Sequence, residues 1–392
     1  MTAGKHLPAF CVTAAVLAVL LFLFSAPYLL WMLLALLGMG ALSVALLGRD
    51  ARRLRLTLET SSGGTAGRPL PLHLHTGAGR FLAADQAAVE LEVASVLFGV
   101  TERHHLALSL AGGSTSFEAS VTAAFCGETQ LRCTGVQLMD RLDLVRFRCT
   151  PFPPVRTAVY PPPAHVELLL TRRAAGPADA EGLMQNRRGS DPSEIFDIRE
   201  YVPGDDIRTI HWKLSSKTDT LIVRQASDPS HYDVALLPDL CLAGQEDGPT
   251  ADECNSAVAV AIAVGESLLR QGTPFCLAVP TAEGLRLWEV RSLRQLHSQL
   301  PEWLSLPASP QRGTGLRYFC TEHLEQHFTR LLVLSAGRYP QNLNGLDHRT
   351  GVTVISTDQT AETPAYTELS AACQAVVLPA RPQRGETYRI LC

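Results

Sequence analysis

The segment EIFDIREYVPGDDIRTIHWKLSSKTDTLIVRQ, residues 194–225, carries the strongest structural signal in this 392-residue chain. It begins with alternating apolar and charged residues, a pattern typical of a half-buried strand. Pro203 and Gly204 suit the two central positions of a type II turn, because glycine accepts a positive φ. Either Asp205 or Asp206 can then cap a helix and complement the positive charge at its N-terminus.

The second half of this segment has helical spacing. Ile207, Ile210 and Leu214 would form one apolar stripe on a helix. Residues 220–225 return to a strand pattern. The whole segment therefore predicts a strand, a sharp corner, a short helix and a second strand.

The polar residues of this segment have two interpretations. They can form a solvated face with a few ion pairs, with Trp212 in the core, or they can form a surface that contacts another protein. Trp and Arg are enriched at the centres of such surfaces. The candidate partner-binding residues are Arg199, Tyr201, Gly204, Asp205, Asp206, Arg208, His211, Trp212 and Lys213.

Residues 7–48 are almost continuously apolar and contain no Asp, Glu, Lys or Arg. A membrane-spanning helix needs about 20 such residues, and Pro27 disfavours one uninterrupted helix because it clashes with the preceding turn. We therefore expect residues 1–50 to form a transmembrane hairpin, with helices at about 7–24 and 28–47. A cleaved signal peptide is the alternative, but the second apolar stretch is itself long enough to span.

Basic residues flank both ends of this hairpin. Lys5 precedes the first helix, Arg49, Arg52, Arg53 and Arg55 follow the second, and the turn between the helices is uncharged. The positive-inside rule places both ends in the cytoplasm. The expected localisation is the cell membrane, with two spans and a soluble body on the cytoplasmic side.

The soluble part divides by its periodicity. Residues 51–165 alternate leucine or valine with polar residues between glycine-containing breaks, which predicts an all-β antiparallel, sandwich-like domain. Residues 166–230 are expected to form a connector together with the charged segment quoted above. In residues 231–392, strand-like and helical stretches alternate, which predicts an α/β domain with a mostly parallel sheet.

The elements of this α/β domain can be placed along the chain. The expected strands are at 234–237, 275–279, 331–334, 352–355 and 375–378. The expected helices are at 252–270, 293–304 and 322–331.

Residues 201–216, YVPGDDIRTIHWKLSS, followed by LIVRQ at 221–225, resemble the signature of the domain-of-unknown-function-58 family of bacterial and archaeal membrane proteins. The N-terminal pair of spans and the segment GVQLMDRLDL at 135–144 also resemble features of that family. Asp143 stands where the family typically has glycine, so the conformation of that corner is open to change.

This resemblance implies a C-terminal domain similar to the von Willebrand A type. Such domains often bind Mg²⁺ through Asp-x-Ser-x-Ser after the first strand, because hydroxyl and carboxylate oxygens suit a hard cation. At the matching place this chain has Asp239, but Cys241 and Ala243 replace the two hydroxyls, and a neutral thiol is a poor Mg²⁺ ligand. We therefore expect no metal at this degenerate position and no other cofactor.

The resemblance also implies a function, since genes of the family typically accompany those of MoxR-type AAA+ ATPases. The expected role is a membrane-anchored, non-enzymatic scaffold that helps such an ATPase to assemble or activate protein complexes. The alternatives are an envelope binding protein with its body outside the cell and a hydrolase that uses Asp205 and Asp206. A net charge of −4 gives no electrostatic footprint for nucleic acid, and the sequence has no P-loop and no Gly-x-Ser-x-Gly motif.

Overall fold

The computed structural model describes most of the chain in two compact units. The first unit is Met1–Pro162 with the later segments Leu242–Glu246 and Pro301–Pro307, and the second is the rest. For 188–200, 218 and 224–227 only the backbone is described. The described residues are 2–24, 26–61, 63–77, 81–110, 115–170, 188–200, 210–218, 220–227, 234–244, 248–324, 327–337, 339, 350–370, 373–381 and 387–391.

Two apolar helices begin the first unit, as predicted. Helix α1 spans Leu7–Phe24 and helix α2 spans Pro27–Arg53. Pro27 lies in the first turn of α2, where its missing N–H would have no intrahelical partner. By length and composition both helices are able to cross a membrane. Helix α2 continues past its predicted end at residue 47 and carries two arginines in its last turn.

Two sheets form the rest of the described part of this unit. Its strands are β1 (Thr2–Ala3), β2 (Leu56–Thr60), β3 (Gly63–Thr65), β4 (Pro69–Thr76), β5 (Ala84–Ser95), β6 (Thr101–Ser109), β7 (Ser116–Thr122), β8 (Gly127–Asp140), β9 (Val145–Cys149) and β10 (Val155–Tyr160). In the larger sheet β6, β5 and β8 are neighbours, β9 and β10 pair with the other edge of β8, and β1 and β3 extend them. The smaller sheet has the order β2-β4-β7. All pairs are antiparallel except β3 with β10.

Alternating burial explains why these segments are strands. Leu72 and Leu74 of β4 and Val89 and Leu91 of β5 are almost completely buried, while their neighbours along each strand are more exposed. Burial of each such side chain contributes about 1.5–3 kcal/mol. The period-two pattern of the sequence therefore corresponds to the core of a β-rich body, and the described residues between 56 and 169 contain no helix.

The ends of the helical hairpin are fixed to the larger sheet. Strand β1, which precedes α1, pairs with β9. Near the end of α2, one carboxylate oxygen of Asp50 accepts hydrogen bonds from the backbone N–H groups of residues 82–84, at 2.8–3.1 Å. Further back on α2, the hydroxyl of Ser43 donates to the carboxylate of Asp140 at 2.6 Å. The residues before and after the hairpin are therefore held on the same domain.

Asp143 forms the corner between β8 and β9 with a positive φ of 41°. This backbone conformation favours glycine, although Asp tolerates it better than most residues. The Asp143 carboxylate accepts hydrogen bonds from both Nε and Nη2 of Arg146 at 3.0 Å and from the N–H of Lys5 at 3.3 Å. The bond from Arg146 lowers the pKa of Asp143. The corner thus has a glycine-like backbone, with a side chain that joins it to the N-terminus.

The second unit contains most of its strands in one large sheet. Its strands are β11 (His165–Leu169), β12 (Arg188–Glu200), β13 (Ile222–Ser227), β14 (Val234–Pro238), β15 (Phe275–Thr281), β16 (Gly284–Val290), β17 (Arg330–Ala336), β18 (Gly351–Asp358), β19 (Ala365–Ser370), β20 (Cys373–Pro379) and β21 (Thr387–Leu391). The large sheet has the order β16-β15-β14-β17-β18-β20-β19. Its five central strands are parallel, and the edge strands β16 and β19 are antiparallel. Two small sheets pair β11 with β21 and β12 with β13.

The described helices of this unit are α3 (Trp212–Thr218), α4 (Ala251–Arg270), α5 (Leu293–Leu304, of which residues 301–304 belong to the first unit) and α6 (Thr314–Thr321). Every residue of β14 is buried, as expected for a central strand covered on both faces. Helix α4 starts with a capping box between Thr250 and Glu253, and it ends before Gly272, whose φ is 73°. The five predicted strands and the predicted helices at 252–270 and 293–304 are present.

The predicted helix at 322–331 is wrong. The helix in this region, α6, ends at Thr321, and β17 begins at Arg330. Helix α6 is preceded by Gly313 with a φ of 79°. A glycine in this conformation usually follows a helix rather than precedes one, so the sequence around it resembles a loop.

Candidate partner-binding site

The charged segment 194–225, called the signature segment below, is built around strand β13. Val223 in this strand pairs with Arg199 of β12 on one side and forms an antiparallel bridge with Ile210 on the other. Because neighbouring strands lie about 4.8 Å apart, Arg199 and Ile210 are separated by about 10 Å. The described residues on either side of 201–209, Glu200 and Ile210, therefore lie beside the same strand.

Hydrogen bonds of His211 and Ser215 fix helix α3 against β13. The N–H of His211 donates to the carbonyl of Ile222 at 2.7 Å, and its Nδ1 accepts the N–H of Leu214 at 3.3 Å, which caps the helix. The hydroxyl of Ser215 accepts the N–H of Ile222 at 2.9 Å and donates to the carbonyl of His211 at 3.2 Å. Both Ser215 and Ile222 are buried.

The opposite face of α3 is open to solvent. Trp212 is 62% exposed, and Leu221, just before β13, is 46% exposed. Lys213 and Lys217 are exposed on the same helix. The interpretation of Trp212 as a core residue is therefore wrong, and the same short helix exposes an aromatic side chain and two cationic ones.

The helix of the signature segment differs from the prediction. Helix α3 begins at Trp212, and Ile210 bridges to β13 instead of continuing a helical stripe to Leu214. His211 provides the cap that was assigned to Asp205 or Asp206. The candidate residues Tyr201, Gly204, Asp205, Asp206 and Arg208, and the side chain of Arg199, lie outside the described residues.

Asp239 follows β14 at the carboxyl edge of the large sheet and is completely buried. Its Oδ1 accepts the N–H of Gly315 near the start of α6, and its Oδ2 accepts the hydroxyl of Tyr339, both at 3.0 Å. Burial raises the pKa of Asp239, and these hydrogen bonds oppose that shift. Both carboxylate oxygens are therefore occupied by groups of the protein itself.

The residues beside Asp239 do not suit a hard cation. Cys241 and Ala243 are buried, and burial raises the pKa of the Cys241 thiol, so it stays neutral. Within the described ranges, no three His, Cys, Asp or Glu side chains are grouped in a way that could hold a metal ion. The donor set at this position does not match the oxygen ligands that Mg²⁺ requires.

Three residues of these two places were not singled out from the sequence: Ser215, Gly315 and Tyr339. Ser215 lies within the signature segment. A small hydroxyl residue on the buried side of a short helix could have indicated its hydrogen-bonding role. Gly315 and Tyr339 are 76 and 100 residues from Asp239. Their contacts with Asp239 depend on the order of the strands, which a local pattern does not contain.

Three solved structures with local similarity are β-domains. They are a cohesin module of a Clostridium perfringens family 33 glycoside hydrolase (13% identity, 27% of this chain, 96% of that chain, TM-score 0.21), a PKD domain of an M14-like peptidase from a Thermoplasmatales archaeon (14%, 26%, 91%, 0.17) and a CARDB domain from Pyrococcus furiosus (10%, 27%, 88%, 0.17). No curated protein matches the sequence.

A family model identifies the central part of the chain. The model described as "Protein of unknown function DUF58" matches residues 197–335, from the signature segment through β14 and the first helices of the large sheet to β17. The match contains every described residue that forms the α3 surface and the surroundings of Asp239, apart from Tyr339. Residues 197–335 of this chain are therefore similar to the DUF58 family, whose description assigns no function.

Proposed function

We propose that this chain is a membrane-anchored, non-enzymatic scaffold that binds a protein partner through its signature segment. The observation that carries the proposal is the 62% exposure of Trp212 on a helix whose inner side is fixed by buried hydrogen bonds. An exposed tryptophan on a rigid support can enter a partner's pocket with little loss of conformational freedom. Burial of its ring there would recover hydrophobic free energy.

The chemistry of this surface indicates what it binds. Lys213 and Lys217 are exposed beside Trp212, and Leu221 adds apolar area. The matching partner surface is an apolar pocket with acidic residues at its rim. We propose that residues 201–209 extend the contact, because they connect Glu200, which pairs with Ile222, to Ile210, which bridges to Val223.

We infer from the family resemblance that the partner is a MoxR-type AAA+ ATPase. The large sheet supports the von Willebrand A-like fold that this resemblance implies. Counted from β14 as the first strand, the order β16-β15-β14-β17-β18 is 3-2-1-4-5, which is also how the order of classic doubly wound α/β sheets begins. Asp239 lies at the carboxyl end of the first strand, where such sheets place ligands.

Two observations favour a binding role over hydrolysis at the described residues. Both oxygens of Asp239 accept hydrogen bonds from the protein, so this carboxylate is not free to act as a base. Burial raises the pKa of Cys149 to about 11 and also raises the pKa of Cys133 and Cys373. A thiol that acts as a nucleophile requires a lowered pKa.

The location of the scaffold follows from the charges around its hairpin. Lys5 lies before α1 and the arginines at the end of α2 lie after the second span. We propose that α1 and α2 cross the cell membrane and that the rest of the chain lies in the cytoplasm. In this position the signature segment is accessible to a cytoplasmic ATPase.

The experiment is a binding measurement between the purified full chain in detergent and the purified MoxR-type ATPase of the same organism. Trp212→Ala should weaken the affinity at least 30-fold, since interface anchors contribute about 2 kcal/mol or more. Tyr366→Ala is the matched control, because Tyr366 is a comparably exposed aromatic residue, at 52%, on β19. Equal affinity of wild type and Trp212→Ala, or no binding by wild type, would refute the proposed docking.

A further inference from the structure

The last four turns of α2 have two different faces. Gly40, Leu47 and Asp50 are buried and Ser43 is half-buried, at a spacing of three or four residues that puts all four on one side of the helix. Two of them contact the sheet domain through the hydrogen bonds already described, Ser43 with Asp140 and Asp50 with residues 82–84. This face is fixed to protein.

The opposite face changes from apolar to basic along the helix. Leu42 and Ala45 are exposed, and they are followed at helical spacing by the exposed residues Arg49, Arg52 and Arg53. Within the described part of the chain, these three arginines make no ion pair or side-chain hydrogen bond. By contrast, Asp50, the acidic residue between them, is turned inward and 3% exposed. The outer face therefore carries three unneutralised positive charges.

We propose that Arg49, Arg52 and Arg53 form a basic collar that binds the phosphate headgroups of anionic phospholipids. This inference rests on the proposed membrane insertion of α1 and α2. It goes further by assigning a lipid class and a set of ligand residues. Guanidinium groups bind phosphate with paired, charge-assisted hydrogen bonds, which an ammonium group cannot match in geometry.

The depth of the basic collar relative to the bilayer follows from the lengths of the two helices. Since Ser43 contacts the sheet domain, the part of α2 surrounded by lipid is about Pro27–Leu42, which is roughly 24 Å long, and α1 is about 27 Å long. Both lengths are close to the roughly 30 Å of the hydrocarbon layer. Arg49 lies about 9 Å beyond Ser43 along the helix.

Side-chain direction brings the other two arginines to the same layer. The Cα–Cβ bonds of a helix tilt toward its N-terminus, which for α2 is toward the bilayer. Arginine side chains that point in this direction extend back to the headgroups while their stems cover the helix. The collar therefore lies where a negative surface potential acts on it, and each arginine there is worth about a fivefold change in lipid affinity.

The test uses the full chain reconstituted in phosphatidylcholine vesicles that contain spin-labelled phosphatidylglycerol or spin-labelled phosphatidylcholine. Electron spin resonance then gives the relative association of the two lipids with the protein. Wild type should prefer phosphatidylglycerol several-fold. The triple variant Arg49→Gln, Arg52→Gln and Arg53→Gln should lose this preference, whereas Arg68→Gln, Arg132→Gln and Arg294→Gln, three exposed arginines elsewhere in the chain, should keep it.

Separate readouts distinguish the collar from the anchor. Flotation with neutral vesicles reports membrane insertion, so a chain that fails to float refutes the anchor and the collar together. The collar alone is refuted if the wild-type chain floats but shows no phosphatidylglycerol preference. It is also refuted if the triple variant of Arg49, Arg52 and Arg53 keeps that preference. Inorganic phosphate added at constant ionic strength should leave the preference unchanged, and its loss would assign the site to free phosphate instead of lipid.

Discussion

Asp143 combines an unfavourable backbone conformation with favourable side-chain contacts. Alanine at a φ of 41° would have the strain without the contacts, and glycine would have neither. We expect Asp143→Gly to be more stable than Asp143→Ala by about 1 kcal/mol, the usual cost of left-handed backbone for a residue with a Cβ. Denaturant unfolding of the first unit in the detergent-solubilised chain measures the difference. Equal stabilities would mean that the corner relaxes in the variants.

Tyr339 donates a hydrogen bond to the buried carboxylate of Asp239. The effect of removing this hydroxyl on stability should therefore depend on pH. Burial raises the pKa of Asp239, so the contribution of Asp239 to stability is present below its unfolded pKa of about 3.9 and is lost as the pH rises through the raised value. Tyr339→Phe removes a donor to the charged form and raises this pKa further.

We therefore expect Tyr339→Phe to destabilise the second unit by about 1–3 kcal/mol at neutral pH, and by less as the pH falls and Asp239 takes up a proton. Unfolding curves at pH 5 and pH 8 measure both effects. Asp239→Asn provides the control, because it removes the titrating group and should abolish the pH dependence of the Tyr339→Phe loss. A loss that is the same at both pH values would contradict this account.

Helix α3 depends on one hydroxyl more than on its own length. Seven residues are too few for an isolated helix, so its position comes from the bonds of Ser215 to β13 and His211. Ser215→Ala leaves the buried N–H of Ile222 without this acceptor, which should cost about 1–3 kcal/mol. Ser216→Ala is the matched control, since Ser216 is exposed. Hydrogen exchange at Ile222 should accelerate in the first variant and stay unchanged in the second.

Elements with one dominant pattern could be predicted from the sequence. The apolar helices, the alternating strands of the first unit and the buried strands of the large sheet each carry their own period. The edge strand β19 lacks such a signal because most of its residues are exposed, and α6 was missed because Gly313 resembles the end of a helix.

At the candidate site, Trp212 was identified by residue type alone. The role of Ser215 and the contact of Asp239 with Tyr339 required the tertiary structure.

At the scale of the whole chain, the pairing of β1 with β9 restricts how the hairpin can lie in a membrane. Thr2 and Ala3, before α1, are hydrogen-bonded to the same sheet that Asp50 contacts after α2. If both helices span the bilayer, the N-terminus and the sheets of the first unit must lie on one side. The start of α2, which carries Tyr28, must lie on the other side.

Cysteine accessibility in intact cells tests this arrangement. Lys5→Cys and Arg68→Cys introduce thiols before the hairpin and in the sheet domain after it, and Tyr28→Cys introduces one at the start of α2, where Tyr28 is 64% exposed. With the body in the cytoplasm, a membrane-impermeant maleimide added outside should label only Tyr28→Cys, and permeabilised cells should label all three above the wild-type background. The reverse pattern in intact cells would place the body outside the cell and contradict the cytoplasmic scaffold. Equal labelling of all three in intact cells would show that the hairpin does not span the bilayer, because nothing else in the chain separates residue 28 from residues 5 and 68.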